Sequence, residues 1–232
     1  MLGVIINAVA VIVGALVGLV FKKGIPQKVS SAVMVGVGLC VVYIGIDGML
    51  CEVNPLVAVI SIALGTAVGT LLDIDTKLEK FAGFVSCKVG QKDNSSLFAK
   101  GFVSASLLFC VGAMAIMGSI QSGISDDHTT LITKSIIDLI SAVMFASTLG
   151  IGVAFSAIPI FIYEGAIALC AVFLDPVLTG GAVNSITCVG SIIIMGLGLN
   201  LTGVSKFKIA NFIPAVFISP FIYYLLEMIP KG

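Results

Sequence analysis

The sequence predicts an all-α polytopic transmembrane bundle of about eight spans, and three observations carry that reading. Of 232 residues, 59% are hydrophobic and only 10% are charged, against about 45–50% apolar and about 25% charged in ordinary soluble domains. The mean hydropathy is +1.21. Long apolar runs recur between short Lys-bearing segments, and 26 glycines suit helices that must approach closely in lipid. The whole chain, 1–232, reads as one transmembrane domain.

The first run, 2–21, opens Met1-Leu2-Gly3-Val4 without a basic segment, and Lys22 and Lys23 follow it. That order is the reverse of a cleavable signal peptide, so it is expected to be a retained span. Further runs at 30–50, 55–72, 101–121, 135–154, 157–174, 184–203 and 209–228 are each long enough to cross about 30 Å of hydrocarbon. Residues 135–174 contain no Lys, and Gly150, Gly152 and Pro159 punctuate them. Two spans meeting in a tight turn are expected there, in preference to one broken helix that re-enters.

Orientation follows from the lysines. Segments 22–29, 73–100 and 204–208 hold Lys22, Lys23, Lys28, Lys77, Lys80, Lys88, Lys92, Lys100, Lys206 and Lys208. With eight spans these segments share one side, which is expected to be cytoplasmic, with both termini outside. Within the 73–100 loop, Ile74, Leu78, Phe81 and Val85 recur at helical spacing between charged residues. They predict an amphipathic helix lying at the membrane interface.

Two patterns suggest internal repetition, and they cannot define one symmetry, since the weaker, Gly14-x-x-Val17-Gly18 against Gly65-x-x-Val68-Gly69, relates the parallel spans one and three. Cys110-Val111-Gly112-Ala113-Met114-Ala115-Ile116-Met117-Gly118 shares six of nine positions with Cys188-Val189-Gly190-Ser191-Ile192-Ile193-Ile194-Met195-Gly196. Spans four and seven run in opposite directions, so the match would mark an inverted repeat of spans two to four and five to seven, an architecture common in transporters. Gly14-x-x-x-Gly18 and Gly65-x-x-x-Gly69 are faces that pack helices closely. They serve either packing within the chain or contacts between copies, so Gly14, Gly18, Gly65 and Gly69 are the positions for a homo-oligomer.

Charged groups inside hydrocarbon cost about 3 kcal/mol or more on the insertion scale, so each needs a reason. Glu164 falls near the middle of span six with no Lys close in sequence. A carboxyl at that depth suits a group that carries a proton or ligates a cation, and its blander role is a hydrogen bond between helices. Asp138 follows Lys134 at i,i+4, for which an interfacial ion pair is a sufficient account. Asn7, Asn200 and Asn211 are neutral amides within or beside spans. Ser147 and Thr148 precede the Gly150-x-Gly152 break, and Pro159 follows it. Unwound backbone at membrane depth is tolerated only where protein or a water-filled cavity lines it. The expected substrate- or ion-binding set is therefore Glu164, Asp138, Asn200, Ser147, Thr148, Gly150, Gly152 and Pro159.

Other classes have little support. No basic stripe points to nucleic acid, and the single histidine, His128, lies in a loop beside Asp126 and Asp127. The six cysteines, Cys40, Cys51, Cys87, Cys110, Cys170 and Cys188, show no metal-type spacing and read as small hydrophobes. No catalytic set, phosphate loop or ATP-binding motif is present, so neither enzyme chemistry nor a cofactor or resident metal is expected.

The Gly14-Ala15-Leu16-Val17-Gly18 opening, the Gly45-Ile46-Asp47-Gly48 end of span two and the Gly196-Leu197-Gly198-Leu199-Asn200 run resemble the YdfK/YqgA-like group of bacterial integral membrane proteins over the whole chain. That group has no established function and is described only as candidate transporters. The resemblance implies the bacterial cytoplasmic membrane and supplies no substrate or site residues. The first functional expectation is an ion-coupled carrier of a small solute or ion. An oligomeric ion channel and a non-transporting scaffold or partner subunit are the alternatives.

Overall fold

The apolar runs become helices that the chain threads back and forth across one slab, as a computed structural model shows for residues 1–22, 27–88, 95–176 and 178–228. Helices α1 (Leu2–Lys22), α2 (Gln27–Met49) and α3 (Pro55–Leu71) cover the first three expected runs, and of these α1 and α2 are long and apolar enough to cross a membrane alone. Asn54 caps α3 by accepting the Leu56 N–H at 3.0 Å, and Pro55 opens it. A left-handed Asp73 (φ 46°) then turns the chain into α4 (Ile74–Lys88), at 58° to α3. As expected, α4 is amphipathic. Its Leu78 and Val85 pack on Phe98, Ala99 and Phe102 of α5 (Ser95–Cys110).

The fourth span departs from the expected continuous helix over 101–121. It is α5 followed by α6 (Ala113–Ile124), bent by 62° at Val111-Gly112. Gly112 has φ 150°, a conformation that side-chain-bearing residues rarely adopt. Residues 135–174 form two spans, as expected, but the first starts earlier. Helix α7 runs Thr129–Leu149, and the chain returns through α8 (Gly152–Phe155), α9 (Ala157–Leu169) and α10 (Ala171–Leu174). Then α11 (Gly180–Thr202), a 3₁₀ turn (Ile209–Phe212) and α12 (Ile213–Glu227) complete the path. Among the described residues, six helices are long and apolar enough to cross a membrane alone, and up to eight spans result if each bent pair counts as one.

Glycines set the pairing. Gly14 and Gly18 admit the Leu139 and Val143 carbonyls of α7, so α1 and α7 run parallel. Gly38 and Gly45 meet Gly198 and Met195, so α2 and α11 are antiparallel, and Gly65 and Gly69 meet Ala215 and Asn211, so α3 and α12 are too. Gly152 abuts Phe98 and Gly123 abuts Ala168, which makes the α5–α6 and α8–α10 spans parallel. All four directions agree with a chain that crosses at every span. They also leave Gly14, Gly18, Gly65 and Gly69 engaged inside the chain, so a contact between copies would have to use other surfaces.

The segments matched in sequence do not share a backbone shape. Cys110–Gly118 contains the α5–α6 break, whereas Cys188–Gly196 lies within unbroken α11. The two touch, with Gly190 against Val111. The slab has one face carrying Lys28, Lys77, Lys80, Lys100, Lys206 and Lys208 on the α1–α2, α3–α5 and α11–α12 connections, and an opposite face carrying the turns at 50–54 and 125–128. Exposed Ile, Val, Leu and Phe side chains cover the lateral surface between them.

Candidate functional site

The side chain that most needs a partner in hydrocarbon is Glu164, and three helices supply its surroundings. It is 0% exposed on α9. Its Oε1 accepts from Asn7 Nδ2 of α1 at 2.8 Å and lies 3.3 Å from Lys134 Nζ of α7. The Lys134 ammonium also pairs with Asp138 one turn on, and the Asn7 amide reaches that carboxylate as well. Lys134 and Asp138 are each 6% exposed and Asn7 is 0%. Glu164, with no Lys close to it in sequence, thus has Lys134 beside it in space. The Lys134–Asp138 pair is buried rather than interfacial, because Ile132, Ile136, Ile137 and Ile140 cover the outer face of α7 and turn both charges inward.

The charge balance of the cluster is incomplete. Two carboxylates face one ammonium, and both Glu164 Oε2 and Asn7 Oδ1 are buried without a hydrogen-bond partner among the described residues. An unpartnered buried acceptor costs about 1–3 kcal/mol, and an uncompensated charge costs more. A proton or a monovalent cation would supply the missing charge. Among the described residues no group of three or more His, Cys, Asp or Glu side chains could hold a metal ion.

The α5–α6 break borders this cluster. Cys110, the last residue of α5, is within electrostatic reach of Lys134, Asp138 and Glu164, and Tyr163 lies near Cys110 and Glu164. The Gly150-x-Gly152 stretch is the tight turn expected between two spans, and the helix break beside the cluster is at Val111-Gly112.

Several expected residues stand elsewhere. Gly150 (φ 85°) caps α7 and, with Gly152 against Phe98, makes the tight turn between spans at the Lys-bearing face. Glu164 follows Gly152 by about 18 Å of helix rise. Ser147 donates to the Met144 carbonyl at 2.7 Å and Thr148 to that of Phe145 at 3.0 Å, so both hydroxyls bond back onto their own helix. Pro159 sits in the first turn of α9, where no intrahelical N–H is needed, against an apolar pocket with Phe98, Phe102 and Phe155. Asn200 ties down the 203–208 connection, donating to the Phe207 carbonyl at 2.7 Å and accepting from Phe207 N–H and the Ser205 hydroxyl at 2.8 Å each. Only Glu164 and Asp138 of the expected set meet one another. The other two residues of the cluster, Lys134 and Asn7, lie outside the expected set.

Asn200 does line a second polar space, a cavity of about 480 Å³ at the Lys-bearing face between α4, α5, the end of α11 and the 205–210 segment. Asp75 helps close it, receiving the Ala210 N–H at 3.3 Å while its own N–H donates to Asn211 Oδ1 at 2.9 Å.

Comparison with known proteins finds a family and two relatives, one of them described as a membrane protein. Residues 2–224 match the family described as "Protein of unknown function (DUF554)". The chain is 31% identical over 231 residues to the "Uncharacterized membrane protein YdfK" of Bacillus subtilis (strain 168), covering 98% of this chain and 97% of that one. It is 27% identical over 222 residues to the "Uncharacterized protein YqgA" of Escherichia coli (strain K12), covering 94% of each. No solved structure matches.

Proposed function

The chain belongs to the DUF554 family of proteins of unknown function, and we propose that within it this multi-pass membrane protein is an ion-coupled carrier of a small solute. One observation carries the reading: a buried Lys134–Asp138–Glu164 cluster, joined across α1, α7 and α9, that lacks one positive charge. Intramembrane ionisable groups are costly and mark ion or proton pathways.

Glu164 is the coupling residue in this mechanism. Without a bound ion, its carboxylate shares the Lys134 ammonium with Asp138 and so holds α9 against α7. A proton on Oε2 turns an unpartnered acceptor into a donor and removes the pull on Lys134, which settles on Asp138. That change loosens α9 from α7 beside the one sharp bend in the fourth span. Val111-Gly112 is the place where α6 can swing relative to α5. Small shifts at such a cluster become helix movements because packed interfaces have discrete arrangements.

The Lys distribution supports a cytoplasmic location for the face that carries α4, with both termini outside. The bacterial relatives support the cytoplasmic membrane as the compartment. The test uses protein reconstituted in vesicles with an internal pH-sensitive dye, screened against small solutes at opposing pH gradients. Solute-dependent proton movement in the wild type that is absent from Glu164→Gln is the expected result. Undiminished coupling in Glu164→Gln would remove the mechanism.

A further inference from the structure

The cavity at the Lys-bearing face is the second polar space of the molecule, and its lining is chemically selective. At about 480 Å³ it is within the range of small-molecule pockets, about 300–1,000 Å³. Lys100 on α5 and Lys206 on the α11–α12 connection both line it, and neither forms an ion pair among the described residues. The acid of the lining, Asp75, directs its Oδ1 at the Ala210 N–H. Asn200 is spent on Phe207 and Ser205, so it builds the wall rather than offering a ligand.

Deeper in the cavity stands Ser104, 2% exposed, whose hydroxyl has no hydrogen-bond partner among the described residues. A buried hydroxyl normally finds a partner. Leu78, Val103 and Leu197 supply the apolar part of the lining. Two unpaired ammonium groups at the rim, a free hydroxyl behind them and a short apolar wall suit one chemistry: an oxyanion on a small organic body.

We infer that this cavity is a binding site for a small carboxylate or phosphate anion, held by Lys100 and Lys206 and accepting from Ser104. Cations are disfavoured by the same two ammonium groups. The site stands apart from the carrier reading. Only its naming as the cargo site rests on that reading. Helix α5 links the two places, since Ser104 precedes Cys110 by about 9 Å of helix rise and Cys110 borders the Lys134–Asp138–Glu164 cluster. The anion would thus enter on the same helix whose far end meets the coupling carboxylates.

The same oxyanion chemistry is offered by a soluble acid and by an anionic lipid headgroup, and the experiment separates them. Purified protein in a non-ionic detergent is titrated by calorimetry and thermal melting with succinate, with inorganic phosphate, and with short-chain phosphatidylglycerol against phosphatidylcholine. Choline chloride is the cation control. The proteins are wild type, Lys100→Gln/Lys206→Gln and Ser104→Val. A melting-temperature rise with a free anion and none with choline is expected. Affinity should fall at least tenfold in the double-lysine variant and severalfold in Ser104→Val. Binding of phosphatidylglycerol alone, with the same dependence on the lysines, would uphold the oxyanion site and assign it to a headgroup. No response to any anion would overturn the inference. So would an affinity unchanged in a double-lysine variant that melts like the wild type. Anion binding that persists while Glu164→Gln leaves flux untouched would sink the coupling mechanism and leave this site standing.

Discussion

Glu164 Oε1 on α9 lies 3.3 Å from Lys134 Nζ on α7, and the same ammonium pairs with Asp138 within its own helix. One cation therefore serves two buried anions, and removing it leaves both uncompensated. Breaking a buried pair by deleting one partner costs about 3–5 kcal/mol. Lys134→Gln is expected to lower the melting temperature of the purified protein more than any single substitution on the exposed face of α7, such as Ile136→Ala. Adding Asp138→Asn and Glu164→Gln to Lys134→Gln should recover much of the loss, because a neutral cluster has no charge left to compensate. A triple variant no more stable than Lys134→Gln would show that the lysine matters for packing and not for charge.

Glu164→Gln separates stability from coupling. It preserves the side-chain volume and removes the anion that lacks compensation, so the melting temperature should hold or rise by a few degrees. Proton-coupled flux should disappear. Asn7→Ala removes the 2.8 Å bond to Oε1 and leaves Glu164 with Lys134 alone. It is expected to retain flux with altered pH dependence, read in the same vesicle assay. Loss of folding in Glu164→Gln would mean that the carboxylate is structural.

Much of this architecture can be read along the chain, because hydropathy in lipid leaves few alternatives. Runs such as 2–21 and 209–228 have no reason to be anything but spans, and the helical spacing of Ile74, Leu78, Phe81 and Val85 identifies α4. The cluster is only half visible. Glu164 and Asp138 stand out as charges in apolar runs, but Lys134 looks interfacial because linear order places it at the start of a run. The signal that could have turned it inward is the Ile132–Ile136–Ile140 ridge, which fixes the lipid face of α7 and puts Lys134, Ser135 and Asp138 opposite. Asn7 carries no such signal, since its partner is 157 positions away. The Ser147–Gly152 stretch misleads for a physical reason: Gly with positive φ ends a helix at an interface as readily as it breaks one at mid-depth.

The α1–α7 pairing holds Asn7 and Lys134 in register, and it depends on absent side chains. A Cβ on Gly14 would meet the Leu139 carbonyl, and one on Gly18 the Val143 carbonyl. These neighbours are backbone, which cannot rotate away. Gly14→Val and Gly18→Val should each force the helices apart, lower the melting temperature by several degrees and impair flux even though neither residue touches the cluster. Gly36→Ala on α2 is the control. No described residue lies within 4 Å of its added Cβ, and replacing a helical Gly by Ala is worth about 0.5–1 kcal/mol in favour of the helix.

Outside the hydrocarbon, the entry to α7 carries its own pH dependence. Thr129 N–H donates to Asp127 Oδ1 at 3.0 Å, and this bond holds the Asp127 carboxyl below its ordinary value, with the Thr129 side chain adding to the effect. A carboxyl whose folded value is depressed contributes stability that is present above its unfolded value, about 3.9. That contribution is lost as pH falls through the lower folded value. Asp127→Asn should therefore narrow the stability gap between pH 6 and pH 3 in thermal melts. The exposed position of the group keeps the effect small. An unchanged gap would mean that the Thr129 bond does not discriminate between the two protonation states.

At the Gly112 bend, space and conformation make opposite demands. No described residue lies within 4 Å of an added Cβ, yet φ is 150°. A substitution is therefore resisted by the backbone alone. Holding a non-Gly residue in such a region costs about 1–3 kcal/mol. Gly112→Ala should relieve the strain by straightening the α5–α6 junction, which moves Cys110 and Val111 relative to Lys134 and Glu164. Flux is expected to fall at least tenfold while the melting temperature changes by only a few degrees. A spin-label pair at Ser106 and Ser119 would read the straightening as a longer mean distance. Wild-type flux together with an unchanged distance in Gly112→Ala would show that the bend is set by its neighbours, and the hinge would have to be sought elsewhere in the fourth span.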